Sequence, residues 1–211
     1  RFQRSQHKVD FFPLSNHFES QSNGIYCGPT TAVIVLNAFR LRNKAYKPPK
    51  DMSVLTKEER THLPKNWDAT FQKYTQRNVF NVAQNKQLKA KAEVLGRPLS
   101  NGKPDFGFQL RQFYNFLLAH KLKVQLRVVS KKLPSKTIKA EIIKNLKTPG
   151  DFVVVNYKRQ AMGQKGGGHF SPLGAYDKKT DSFLLMDVNP NQEPWVWISA
   201  TDLIRSMRTF D

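Results

Sequence analysis

The chain is poor in cysteine, in acidic side chains and in long apolar runs, and each shortage excludes something. One cysteine, Cys27, occurs in 211 residues, which rules out an intrachain disulfide and any metal site built from several thiolates. What remains for it is an inert buried thiol or a reactive one. Only 16 acidic residues stand against 35 basic ones, a formal net charge of +19. Such an excess raises nucleic acid as a partner. The lysines are spread along the chain, however (Lys44, Lys86, Lys103, Lys121, Lys144, Lys178), and no nucleic-acid-binding signature accompanies them. No specific nucleic-acid partner is therefore expected; a basic surface also steers small anions. The longest strongly apolar run, Ala32 to Phe39, is far short of the roughly 20 residues of a membrane span, so no membrane partner is expected. The first residue is Arg1 rather than Met, so removal of a targeting segment and trimmed ends are both open. The cytoplasm is favoured, with the periplasm or secretion as the alternative.

The run from Gln21 to Phe39 places Cys27 at the mouth of the apolar segment. Gly28 and Pro29 suit a helix start, because the first turn has no intrahelical partner for proline's missing N–H. The spacing predicts a helix from about Cys27 to Leu41, apolar nearly all round and so buried between other elements. A thiol at a helix N-terminus lies at the positive end of the macrodipole, which favours the thiolate, the species that attacks carbonyls. Gln21, six residues upstream, is a candidate oxyanion donor.

Residues 1–20 read as an extended aromatic segment (Phe11, Phe12, Leu14, Phe18) packing on that helix. Asn43 to Asn66 reads as a surface connection with a short helix near Leu55 to Arg60. Trp67, Phe71 and Tyr74 fall at helical spacing and are expected in the core. Asn81 to Arg97 is polar with weak periodicity, and Ser100 to Pro104 is a loop. A helix is predicted from Phe108 to His120 and a strand over Leu122 to Val129. Another helix should begin at a serine cap, Ser135, bury Ile138, Ile142, Ile143 and Leu146, and stop at Pro149-Gly150. Strands are predicted over Phe152–Tyr157, His169–Tyr176, Ser182–Val188 and Trp195–Ile198, the middle two joined as a hairpin through 177–181, with a last helix from Thr201 to Met207. The expected fold class is α+β: one domain over 1–211, with a mainly helical lobe (about 1–120) carrying the nucleophile and an antiparallel sheet lobe (about 121–211) carrying what assists it.

Among five histidines, His169 stands out, following Gly166-Gly167-Gly168, where missing side chains let backbone approach a ligand. Asp187 lies eighteen residues on, at the far end of the same hairpin, where it can hold the imidazole in one tautomer and stabilise its charged form. Cysteine, histidine and then an orienting polar side chain is the order of a papain-like site.

At these residues the chain resembles a known family. Gln21-x5-Cys27-Gly28, Asn156-Tyr157, the block Gly168-His169-Phe170-Ser171-Pro172-Leu173-Gly174-Ala175-Tyr176 and Met186-Asp187-Val188 resemble the catalytic domain of phytochelatin synthase, particularly its short prokaryotic form. Phe12-Pro13-Leu14 and Trp197 also match. The resemblance implies a papain-like fold and a γ-glutamylcysteinyl dipeptidyl transfer on glutathione. Cys27 would attack the Cys–Gly carbonyl of glutathione, with Gln21 and the Cys27 N–H holding the oxyanion and His169 protonating the departing glycine. Water or a second glutathione would then resolve the acyl-enzyme, giving γ-Glu-Cys or phytochelatin. It further implies that Asn156, Arg159 and Gly168 contact substrate, Arg159 as a clamp on the γ-glutamyl carboxylate.

The implied partner is glutathione, with a homodimer as a candidate assembly. No cofactor is expected to be bound by the fold; cadmium or zinc would arrive as glutathione thiolates. Two departures stand out. Pro190 occupies a position where this family usually has arginine, and the sequence ends at Asp211 without the cysteine-rich extension of the eukaryotic enzymes, so sensing of metal by protein thiols is not expected. Competing readings are a peptidase of the bacteriocin-processing type, which also has glutamine six residues before cysteine, and a non-catalytic basic binding protein on the same scaffold.

Overall fold

The computed structural model describes residues 1–43, 45–51, 53–82, 88–99 and 102–209. The helix begun by Cys27 runs over Cys27–Arg42 and is preceded by a short helix, Phe11–Ser15; these are α2 and α1. Every residue of α2 from Gly28 to Ala38 is buried. The segment 1–20 is thus not extended throughout: Pro13 sits in the first turn of α1, which buries Leu14 and leaves Phe12 exposed. Asn37, a polar residue in the buried stretch of α2, is answered by the Tyr74 backbone, its amide donating to the carbonyl and its carbonyl accepting from the N–H, both at 2.9 Å.

A short helix in the connection, α3 (Lys57–Thr61), starts at a Thr56/Glu59 capping box. Trp67 and Phe71 do not join the core; they are 60% and 74% exposed. The backbone explains why, because Asp51 N–H donates to Phe71 C=O and Lys73 N–H to Pro49 C=O. Cross-chain bonds of that kind hold residues 71–73 extended and preclude a helix. Tyr74 alone of the three turns inward, against Tyr46 and His120.

The polar stretch after residue 88 holds a one-turn helix, α4 (Lys91–Val94), anchored by the fully buried Val94. Residues 83–87 and Ser100 and Asn101 of the expected loop lie outside the described residues. Next come α5 (Leu110–Ala119), burying Phe113, Phe116 and Leu117, and α6 (Ser135–Asn145), burying Ile138 and Ile142. Two expectations are corrected here. Ser135 is the first helical residue rather than the cap, because Pro134 takes the cap position with its carbonyl accepting from Thr137 and Ile138. The segment 122–129 forms no strand: Leu122 is buried and Val124 packs on the core, but no ladder accompanies the alternation.

The sheet has four antiparallel strands in sequence order: β1 (Val154–Lys158), β2 (Gly168–Asp177), β3 (Ser182–Leu185) and β4 (Val196–Ser199). The last helix, α7 (Ala200–Met207), starts at Ser199, whose hydroxyl accepts from the Asp202 N–H at 3.0 Å. Strand β2 is the seam of the molecule. Phe170 and Ala175 face a cluster built on α2 with Val79, Phe108, Phe113 and Phe116, whereas Leu173 and Tyr176 face another built from α6, α7, Val155, Phe183 and Leu185. Ordinary alternation sends side chains of β2 into both cores, and a register shift between Leu173 and Ala175 exchanges which positions face which: Phe170 and Ala175 enter the first, Leu173 and Tyr176 the second. No helix among the described residues is long and apolar enough to cross a membrane.

Candidate active site

The loop before α2 is built around Asn23. Its side chain accepts from the Ile25 N–H at 3.0 Å, and its carbonyl accepts from the Tyr26 N–H at 3.3 Å and from Gln21 Nε2 at 2.7 Å. An asparagine closing its own turn before a glycine is a recognisable signal, and Asn23 was not singled out from sequence. Gln21 is therefore folded over the loop and nearly buried, its amide N–H donating to the Asn23 carbonyl while its Oε1 is buried without a partner. Its backbone N–H donates to Val188 C=O at 2.8 Å, which ties the loop to the segment carrying Asp187.

Cys27 is the first residue of α2, half-buried, where a backbone N–H has no intrahelical acceptor. Gly28 brings this helix start close to the core: a Cβ there would stand 2.7 Å from Phe108 Cδ2. One turn on, the buried Thr31 hydroxyl donates to the Phe170 carbonyl of β2 at 3.1 Å. The helix that carries the thiol is thus pinned beside the residue that follows His169.

His169 lies in β2 directly across from Tyr157 of β1, and the two rings meet edge to face at 5.6 Å. Its Nε2 is 3.0 Å from Asp187 Oδ1, which leaves Nδ1 for the thiol. Burial works against the imidazolium, but hydrogen bonds to Asp187 and to Cys27, with the charges of both, outweigh it, and His169 titrates above the ordinary histidine range. Asp187 lies two residues beyond the end of β3. Burial alone would raise its pKa; His169, Arg159 and the Asn189 N–H overcome that and hold it down at about 2. A thiol, an imidazole and an ionised carboxylate in one chain of contacts can form a nucleophilic thiolate, protonate a leaving group and keep the base oriented.

The other candidates lie nearby. Asn156 pairs with Phe170 across the strands, and its Oδ1 is buried without a partner. Gly168 opens β2 opposite Lys158. Arg159 is fully buried, with Nη2 2.7–2.8 Å from the two Asp187 oxygens and Nη1 donating to Gln164 at 3.1 Å. Its occupation here is Asp187 rather than an open clamp. Tyr157, not singled out for the site from sequence, donates its hydroxyl to Asp187 Oδ2 at 3.0 Å. Among the described residues no group of three or more His, Cys, Asp or Glu side chains is arranged to hold a metal.

The fold is α+β, and its single cysteine, a histidine and an ionised aspartate lie in one line of contacts. Comparison with known proteins gives its lineage. The family model for phytochelatin synthase matches residues 1–211, and the chain belongs to that family. It is 26% identical over 205 residues to glutathione gamma-glutamylcysteinyltransferase 3 of Lotus japonicus, covering 95% of this chain and 34% of that protein. It is also 26% identical over 208 residues to glutathione gamma-glutamylcysteinyltransferase 1 of Triticum aestivum, covering 95% and 33% respectively. The Schizosaccharomyces pombe glutathione gamma-glutamylcysteinyltransferase is 30% identical over 60 residues, 28% of this chain and 14% of that one. The chain thus spans about a third of the length of the relatives it matches from end to end.

Proposed function

We infer that this chain has a papain-like fold and cleaves the Cys–Gly bond of glutathione through a γ-Glu-Cys thioester on Cys27. The observation that carries the reading is the contact chain Cys27–His169–Asp187 in a chain whose residues 1–211 match the family model. The thiolate attacks the carbonyl carbon; the oxyanion falls between the Cys27 N–H and Gln21 Nε2. The C–N bond breaks as the His169 imidazolium gives its proton to the glycine nitrogen, and neutral His169 then takes a proton from the attacking water or thiol. The buried, unpartnered Oδ1 of Asn156 is suited to receive a donor from the γ-glutamyl end. Cadmium or zinc, carried as glutathione thiolates, would enter as part of the substrate.

Hydrolysis is the favoured fate of the thioester. Transfer requires a site that holds a second, anionic glutathione against the acyl group. The loop after Asp187, Asn189 to Trp195, carries no cationic side chain and closes on itself through Asn189, which accepts from the N–H groups of Asn191, Gln192 and Glu193. An arginine there would have offered a fork of charge-assisted donors.

Intact-mass spectrometry after incubation with glutathione is the test, with a γ-Glu-Cys adduct expected on the native chain and none on Cys27→Ser. Absence of any adduct together with slow alkylation of Cys27 near neutral pH would favour a non-catalytic basic binding protein. Product analysis at millimolar glutathione, with and without cadmium or zinc, should give γ-Glu-Cys in excess of phytochelatin; phytochelatin in excess from the start would overturn the hydrolytic preference.

A further inference from the structure

We propose that Arg159 is a positioning residue of the thiol site, acting through Asp187: it fixes the carboxylate that holds His169 and offsets its charge, so that the imidazole faces a balanced ion pair rather than a bare anion. The proposal rests on Cys27 and His169 working as a pair and is independent of which acyl donor is used.

Arg159 and Asp187 are almost completely removed from solvent, with side-chain exposures of 1% and 0%. Asp187 Oδ1 accepts from Arg159 Nη2, His169 Nε2 and the Asn189 N–H, while Oδ2 receives the Tyr157 hydroxyl and lies 2.7 Å from the same Nη2. A carboxylate so engaged on both oxygens has no freedom to turn away from the imidazole. The guanidinium is itself held in place. It lies over the Tyr157 ring, 5.9 Å from the centroid, and Gln164 takes a hydrogen bond from Nη1.

The glycine run explains how an arginine comes to be buried here. Arg159 N–H donates to Gly167 C=O at 3.0 Å, and Gln164 N–H donates to Arg159 C=O at 3.1 Å, closing the turn over the side chain. Gly166, at φ +106, packs so tightly that a Cβ would stand 3.0 Å from Arg159 Cδ and 3.1 Å from the Gln192 amide oxygen. At this position the missing side chain makes room for Arg159.

The charge consequence follows from burial. The titratable groups facing His169 are Cys27 from α2, Tyr157 from β1 and Asp187 after β3, with Arg159 behind Asp187. With Arg159 present, a neutral imidazole adjoins a pair of net charge zero. Remove Arg159, and the imidazolium gains the whole attraction of a buried anion. Remove Asp187 alone, and a buried, uncompensated cation is left near the imidazole, which is far more damaging than losing both charges together.

The test is the pH dependence of Cys27 alkylation by iodoacetamide, a neutral reagent that needs no substrate site. The upper inflection of that profile reports loss of the His169 imidazolium proton. Arg159→Met should move that upper inflection up by about one pH unit, while Arg159→Lys, which keeps the charge, should stay near the native profile. Asp187→Asn should move it down, and Asp187→Asn with Arg159→Met should bring it back toward the native position. If Arg159→Met is too unstable to titrate, the comparison of Asp187→Asn with the double variant decides. A native inflection in Arg159→Met with only a uniform loss of rate would overturn the proposal, as would a double variant no closer to native than Asp187→Asn. Failure to form a glutathione adduct would sink the assigned substrate and leave these profiles as they are.

Discussion

Gln21 ties down the loop before α2 through one amide proton, donated to the Asn23 carbonyl. If its other amide proton supports an oxyanion, its loss should be felt in the transition state and not in the ground state. Gln21→Ala should lower kcat on the order of a hundredfold or more, about 3 kcal/mol, with little change in KM. Steady-state kinetics of glycine release will show it, and a variant altered only in KM would make Gln21 a binding residue. The residues of the candidate site were legible in the sequence because each has a chemical type that stands out: one thiol, one histidine after a glycine run, one aspartate at hairpin distance. Tyr157 and Thr31 were not, since a tyrosine in a strand and a threonine in an apolar helix read as packing until coordinates show which acceptor they reach. Arg159 came from the family resemblance, as a clamp on the γ-glutamyl carboxylate; its contact with Asp187 was not legible, because spacing along the chain does not say which anion lies opposite.

Elements, rather than side chains, set how thiol and imidazole meet. Helix α2 reaches strand β2 through the buried bond from Thr31 to the Phe170 carbonyl. Thr31→Val keeps the shape and removes the donor, so it should cost about 1 kcal/mol of stability and slow Cys27 alkylation as well. Denaturant unfolding and alkylation rates read the two effects separately, and an unchanged alkylation rate would show that packing alone holds the register. A second tie closes α5: His120, at its C-terminal end, is buried with Nε2 2.9 Å from the Val79 carbonyl. Burial pushes its pKa down to about 4, against the opposing pull of that carbonyl. Because the unfolded chain takes up this proton near pH 6.5, the unfolded state binds more protons between about 4 and 6.5, and stability present above that window is lost as pH falls through it. His120→Phe should flatten the fall of Tm with pH in that range; an unchanged slope would move the effect to other groups. Helices and hairpin strands were readable from their periods. The segment 122–129 was not, because alternation reports burial on one side and says nothing about whether a neighbouring strand is there to pair. Trp67 and Phe71 fit a helical spacing, but their backbone is bonded to residues 49–51, a contact that local spacing does not encode.

At the scale of the whole molecule, 35 basic and 16 acidic residues set a field that favours approach of anions. For a glutathione-like anion, kcat/KM should fall as salt rises from low ionic strength to 0.15 M, where the screening length shortens to roughly 8 Å, while kcat holds. Stopped-flow or initial-rate measurements will check it, and a salt-independent kcat/KM would mean that the positive charge lies away from the path of entry. The division of the chain between two cores also governs when the chemistry becomes possible. Cys27 opens a helix rooted in one core, His169 rides on the strand that separates it from the other, and Asp187 follows the end of the neighbouring strand. Until helix and sheet have docked, the chain carries an ordinary cysteine with no base beside it. A nascent or half-folded chain is in this sense unarmed: its thiol, its imidazole and its carboxylate are parts of no common site until helix and sheet have closed on each other.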